Sequence, residues 1–167
     1  MGDTEIRINF IEAIKFFREC RDELSVRVRG GKFINPASGE VVIYRGIGCE
    51  QELQQLIQKS TNIKDSFIAV RDAEVYTNRV HEVLYDAKLI KTELKALIDN
   101  KSLIKDARYS EMSRDLKEVY SKVCDYHDIA EEKYKFLLEV MWGLVNINNS
   151  INKRFNTDPH FMFDYDS

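Results

Sequence analysis

The sequence predicts a predominantly all-α fold, in which an antiparallel hairpin of two long helices is extended into a helical bundle. A small β-hairpin is inserted near the N-terminus. Two stretches, residues 66–99 and 110–155, carry apolar residues at alternating steps of four and three, which keeps them on one helix face. Residues 25–48 instead alternate with period two around a turn. Seven Gly and two Pro are too few for the many turns of an all-β fold.

Each long stretch carries one apolar seam, interrupted in the second stretch by Lys133 and Asn148. The first seam consists of Ala69, Ala73, Tyr76, Val80, Val83, Ala87, Ile90, Leu94 and Leu97. The second consists of Met112, Leu116, Val119, Val123, Tyr126, Ala130, Leu137, Met141, Leu144 and Ile151. The short connector between the stretches favours antiparallel pairing. Because one short helix and one hairpin cover only part of these seams, the sequence also predicts a homo-oligomer.

The chain is predicted to form one domain, residues 1–167, in four consecutive parts. A first helix takes residues 1–24, the β-hairpin residues 25–48, the helical core with both long helices residues 49–156, and a tail residues 157–167. The sequence Asn35-Pro36-Ala37-Ser38-Gly39 supplies the turn of the hairpin, since Pro presets one corner and Gly permits a positive φ.

Composition limits the class of protein only loosely. The net charge of −3 says nothing strong about partners, although a protein whose main role is binding nucleic acid is usually basic. Cys20, Cys49 and Cys124 are widely spaced and are expected to be reduced thiols. No window approaches the roughly 18 apolar residues of a membrane span. We therefore expect a soluble cytoplasmic protein with no membrane partner and no cofactor.

The hairpin region is locally basic. Its candidate binding residues, with two aromatic rings close by, are Arg27, Arg29, Lys32, Arg45, Phe33 and Tyr44. If Val26 and Val28 face the helices, the arginines between them point outward and could hold phosphates. The interleaved acids Glu19, Asp22, Glu23 and Glu40 favour a solvated surface instead.

The C-terminal tail alternates Phe161, Phe163 and Tyr165 with Met162 and acidic residues. These aromatic side chains could dock back onto the bundle. Alternatively, the tail could add a strand to another chain, because short alternating segments bind exposed sheet edges. Trp142 is interpreted as a core or interface anchor.

Arg154 and His160 form the pair closest to a catalytic signature. An Arg followed by a His at this spacing, near the end of a helical bundle, resembles the motif of HEPN-type ribonucleases. The resemblance implies that the two side chains contact the scissile phosphate and assist attack by the ribose hydroxyl. It covers these two residues, and Asp158-Pro159 between them departs from the pattern of that family.

Cys124, His127 and Glu131 share one face of the second long helix and could supply metal ligands. A fourth ligand is missing from this pattern, and we expect no metal site. The sequence therefore favours a non-enzymatic interaction or assembly protein that binds protein partners through its helical seams and its basic hairpin. The alternatives are a nucleic-acid-associated bundle, which we do not favour, and a HEPN-like ribonuclease.

Overall fold

A computed structural model describes the backbone of residues 2–100 and 110–157 and the side chains of residues 11–100 and 113–154. Within these ranges it confirms the predicted fold class, a helical bundle with one small antiparallel hairpin. The elements are α1 (Gly2–Arg29), β1 (Gly31–Ile34), β2 (Val41–Tyr44), α2 (Glu50–Lys59), α3 (Ile63–Ile98) and α4 (Ser110–Thr157). No helix in the described part of the chain has an apolar stretch long enough to cross a membrane.

The chain divides into two compact units. The first consists of Met1–Ile47 and Glu82–Glu131, and the second of Gly48–His81 and Glu132–Ser167. The first unit therefore holds α1, the hairpin and one part of each long helix, and the second holds α2 and the other parts. The expectation of one domain stays a prediction.

The core of the first unit is built from both seams and from α1. Its buried seam residues are Val83, Ala87, Leu94, Leu116, Val119, Val123, Tyr126 and Ala130. Ile14, Phe17 and Leu24 of α1 are buried as well. Removing a buried leucine side chain from such a core costs about 2–5 kcal/mol, so the seams carry much of the stability of this unit.

The second unit continues the same seams and adds α2. Its buried seam residues are Ala69, Ala73, Val80, Leu137, Leu144 and Ile151, and α2 contributes Leu53. Ser66 contacts Asn148, and the ring of His81 lies 5.4 Å from that of Tyr134. The residue that comes earlier on α3 therefore contacts the residue that comes later on α4. The two long helices are thus antiparallel, as predicted. Most seam residues are buried within a single chain, and the self-association predicted from the seams stays a prediction.

Both interruptions of the second seam have polar partners. Lys133 forms an ion pair with Glu50 at the start of α2, and its ammonium lies 5.9 Å from the centre of the Phe136 ring. Asn148 donates a hydrogen bond to the hydroxyl of Ser66, which is fully buried on α3, over 2.7 Å. Buried polar groups without partners are costly, so these pairings explain how the seam tolerates the two residues.

Residues 25–29 are helical, which corrects the predicted start of the hairpin. The period-two pattern there spans five residues, too few to separate a strand from the last turn of a helix. The helix ends at Gly30, whose N–H donates to the carbonyl of Val26 over 2.7 Å and whose φ of 87° turns the chain out of the helix. This is the left-handed cap that glycine favours at helix C-termini.

Asn62 begins α3. Its side-chain oxygen accepts a hydrogen bond from the N–H of Asp65 over 2.8 Å, and its amide donates to the Asp65 carboxylate. This cap favours a new helix start after the break between α2 and α3, because it satisfies the N–H of Asp65, one of the groups that a new helix leaves without partners. The predicted connector, residues 101–109, lies outside the described residues.

Candidate functional site

The hairpin is anchored to α1 by a close approach of two glycines. Gly30 and Gly46 both have positive φ, and a Cβ added to Gly46 would lie 2.9 Å from the backbone nitrogen of Gly30. The N–H of Ile47 then donates to the carbonyl of Val28 near the end of α1 over 3.2 Å. These contacts hold β1 and β2 against the last turns of the helix.

The turn fixes the register of the two strands. Asn35 accepts through its side chain from the N–H of Ala37, and its own N–H donates to the carbonyl of Glu40 over 2.8 Å. The strand pairs that follow are Ile34 with Val41, Lys32 with Ile43, Phe33 with Val42 and Gly31 with Tyr44. Because residues opposite each other share a face, this register divides the hairpin into two chemically different faces.

The inner face lies toward α1. Phe33, Val42 and Tyr44 are half-buried there, and the Tyr44 hydroxyl donates to the Glu23 carboxylate over 2.9 Å. Burial, followed by this hydrogen bond, raises the pKa of Tyr44. The phenol therefore stays protonated at neutral pH and remains a hydrogen-bond donor to α1.

The outer face carries Lys32 and three exposed apolar side chains. Ile34, Val41 and Ile43 expose 55%, 47% and 79% of their surface. Exposed apolar patches that are continuous, rather than single residues, typically mark interaction surfaces. We call the residues Lys32, Ile34, Val41 and Ile43 the outer face.

Val41 and Ile43 also border an open sheet edge. The bond from Asn35 to Glu40 makes that pair a hydrogen-bonded one, and in an antiparallel ladder every second pair is then hydrogen-bonded. Phe33 with Val42 and Gly31 with Tyr44 are therefore the bonded pairs. The backbone N–H and C=O groups of Val41 and Ile43 point away from β1, and the described residues supply no third strand to receive them.

The arginines of the predicted basic patch lie on different elements and differ in exposure. Arg27 belongs to α1, where it pairs with Asp86 over 2.7 Å and lies 6.0 Å from the centre of the Tyr44 ring. Only 14% of its side chain is exposed, so it serves as a link from α1 to α3 and to the hairpin. Arg29 ends α1, Arg45 follows β2, and both are exposed.

This placement separates Lys32 from the predicted stacking rings, whereas Arg27 lies beside the Tyr44 ring but is paired with Asp86. Phe33 and Tyr44 lie on the inner face, whereas Lys32 lies on the outer face. The nucleic-acid interpretation of the hairpin needed the rings and the cations on one accessible surface. It stays a prediction without a specific observation in its favour.

The predicted catalytic pair is described only at Arg154, which is exposed near the C-terminal end of α4. His160 lies outside the described residues, as do the tail residues Phe161, Phe163 and Tyr165. Trp142 is 63% exposed, so its interpretation as a core residue is wrong and that as an interface anchor stays a prediction.

One group of metal-ligating side chains occurs on α4. Atoms of His127, Asp128 and Glu131 lie within 4.8 Å of one another, and the Nδ1 atom of His127 is 3.3 Å from the Asp128 carboxylate. Cys124, which the sequence placed with this group, is instead hydrogen-bonded to Tyr120. Asp128 is within hydrogen-bond distance of Nδ1, Glu131 lies 3.7 Å from it, and side chains of this kind are common on helix surfaces, so we assign no metal here.

The sequence did not predict the outer face of the hairpin. The signal for the outer face was the turn, because Asn35 and Glu40 fix which of the residues in Val41-Val42-Ile43-Tyr44 point outward. A run of four strand-forming residues without polar alternation leaves that choice open. No family model, curated protein or solved structure compared with the chain gives a match.

Proposed function

We propose that the protein is a non-enzymatic interaction and assembly module that pairs with a second copy of itself through β2. The observation that carries this proposal is the coincidence at Val41 and Ile43 of exposed apolar side chains with an open backbone edge. A lone two-stranded hairpin is marginal in water, and additional strands are the usual way to stabilise such an element.

The arrangement of β2 suits antiparallel pairing around a two-fold axis. With Val42 opposite its equivalent, Val41 of one copy faces Ile43 of the other, so the residues with outward backbone groups meet in bonded pairs. The N–H groups of each copy then donate to carbonyls of the other. The four apolar side chains come to lie on one continuous face, where they cover one another.

The hairpin is prepared for such pairing because the rest of the first unit holds it in place. The Tyr44–Glu23 hydrogen bond, the Arg27–Asp86 pair and the two close glycines fix β2 before any partner binds. Ordering of loops and side chains is a main cost of association, and a rigid edge lowers this cost. The short, four-residue strand also limits unspecific edge-to-edge aggregation.

Sedimentation equilibrium tests the proposal. We expect the mass of the wild type to approach twice 19.6 kDa as concentration rises. Ile43→Lys should remain at 19.6 kDa, because it replaces the apolar side chain that would cover Val41 of the second copy with a charged one. Val41→Lys is a second variant with the same expected result.

Val75→Lys is the matched control, since Val75 is also apolar and 55% exposed but lies on α3 in the second unit. It should associate like the wild type, and circular dichroism should show the same helicity for all variants. A wild type that stays monomeric at every concentration, or an Ile43→Lys variant that associates like the wild type, would overturn the proposal.

A further inference from the structure

A cleft in the first unit is lined on one side by three lysines of α3. It has a volume of about 570 Å³, and its lining includes Lys88, Lys91 and Lys95 together with Tyr120 and His127 of α4. Steps of three and four residues place the lysines on one helix face, over roughly 10 Å of helix length. Pockets of about 300–1,000 Å³ are the usual size for small-molecule sites.

The charge of the cleft is mainly positive. Asp99 is the one acidic residue among the described residues that line it. None of the three lysines forms an ion pair with another described side chain, although Lys91 is half-buried. Asp128 and Glu131 approach Nδ1 of His127 but do not line the cleft.

The remaining polar groups add no further negative charge. The hydroxyl of Thr92 donates to the carbonyl of Lys88 over 2.9 Å, so it is held at the cleft wall. The hydrogen bond between Tyr120 and Cys124, together with burial, raises the pKa of the tyrosine. Its phenol is therefore neutral at physiological pH.

We propose that this cleft binds a small ligand that carries two or more phosphate groups. Three ammonium groups along about 10 Å of one helix face exceed what a single phosphate can contact, and lysine binds phosphate as a compact point charge. A cleft of about 570 Å³ with its lysines confined to about 10 Å matches the extent of a small molecule, whereas a long polymer needs a charged groove that runs further along the surface. The positive lining also opposes binding of a metal cation. This site is independent of the proposed pairing through β2.

Isothermal titration calorimetry with inorganic tripolyphosphate, without divalent cations, tests the site. The wild type should show saturable binding to one site per chain. The triple variant Lys88→Gln/Lys91→Gln/Lys95→Gln should bind at least about tenfold more weakly, since each lost phosphate contact removes a charge-assisted hydrogen bond.

A charge-matched control separates a site from general attraction. The variant Lys59→Gln/Lys64→Gln/Lys117→Gln loses the same charge at exposed positions that do not line the cleft, and it should bind within about twofold of the wild type. If this control weakens binding as much as the cleft variant, or if the wild type does not bind, the proposal is overturned. Should the triple cleft variant lose helicity, single Lys→Gln variants at the same positions replace it, each with a smaller expected loss.

Single-stranded oligonucleotides of increasing length provide the second arm. The affinity for oligonucleotides could rise steadily with their length, exceed the affinity for tripolyphosphate and depend on the same three lysines. This result would identify a nucleic-acid surface and overturn the small-ligand proposal. Because Ile43→Lys leaves the cleft untouched, it should bind tripolyphosphate like the wild type. Failure of the pairing proposal and failure of this one are therefore distinguishable.

Discussion

At the scale of single residues, the two polar interruptions of the second seam indicate how α4 is aligned with its neighbours. Lys133 and Asn148 occupy positions at which leucine or valine would pack, and each reaches a specific partner, Glu50 on α2 and Ser66 on α3. An apolar seam alone permits the helices to slide by a turn, whereas a buried polar pair is satisfied in one register only. We infer that the Asn148–Ser66 pair fixes the register of α3 against α4 in the second unit.

The Asn148–Ser66 pair makes a quantitative prediction. Ser66→Ala removes the buried acceptor and leaves the amide of Asn148 without its partner, which should lower the free energy of unfolding by about 1–3 kcal/mol. The double variant Ser66→Ala/Asn148→Leu removes both partners of this bond and also the acceptor of the Asn152 amide, so it should recover part of this loss. Urea denaturation followed by circular dichroism measures both changes.

Asn149→Leu is the control, because Asn149 is exposed on the same helix and should change the free energy of unfolding by less than about 0.5 kcal/mol. If Ser66→Ala is as stable as the wild type, the buried hydrogen bond does not contribute to stability as described. If the double variant is less stable than Ser66→Ala, the apolar replacement does not fit the seam.

At the scale of elements, the hairpin depends on the glycines at its base more than on the glycine in its turn. Gly46→Ala would bring a Cβ within 2.9–3.1 Å of the backbone of Arg29 and Gly30, in addition to the strain of a positive φ. Gly39→Ala meets the same kind of strain but no atom within 4 Å. Backbone atoms cannot rotate away, so we expect a loss of about 2–4 kcal/mol for Gly46→Ala and about 1–2 kcal/mol for Gly39→Ala.

Urea denaturation of the two variants in parallel measures this difference. Equal losses would show that positive φ alone accounts for both glycines and that the close approach of α1 and β2 does not contribute. A larger loss for Gly39→Ala would contradict the anchoring of the hairpin by Gly30 and Gly46.

The elements differ in how far the sequence could predict them. The seams predicted the buried faces of α3 and α4 and the approximate ends of both helices, because the four-three pattern continues over many turns. The end of α1 could not be read, since Ser25-Val26-Arg27-Val28-Arg29 fits a strand and a helical turn equally well. The ion pair of Arg27 could not be predicted either, because its partner Asp86 lies 59 positions away in the sequence and comes close to it only in the folded chain.

At the scale of the whole molecule, we place stability in the seams and propose association through β2. Most residues of the seams of α3 and α4 are buried within a single chain, where they contribute to folding. On β2, exposed apolar side chains lie beside an open backbone edge at Val41 and Ile43. The sequence predicted a hairpin that docks, but it placed the docking groups on the arginines, whose pairing and orientation depend on tertiary contacts.

Amide hydrogen exchange of the hairpin, recorded by NMR at low and at high protein concentration, tests the central claim most directly. The N–H groups of Val42 and Tyr44 point to β1 and should be protected at both concentrations. Those of Val41 and Ile43 point to the open edge and should exchange freely at low concentration. They should become protected at high concentration, and remain unprotected in Val41→Lys. Exchange at Val41 and Ile43 that does not depend on concentration would contradict pairing through β2.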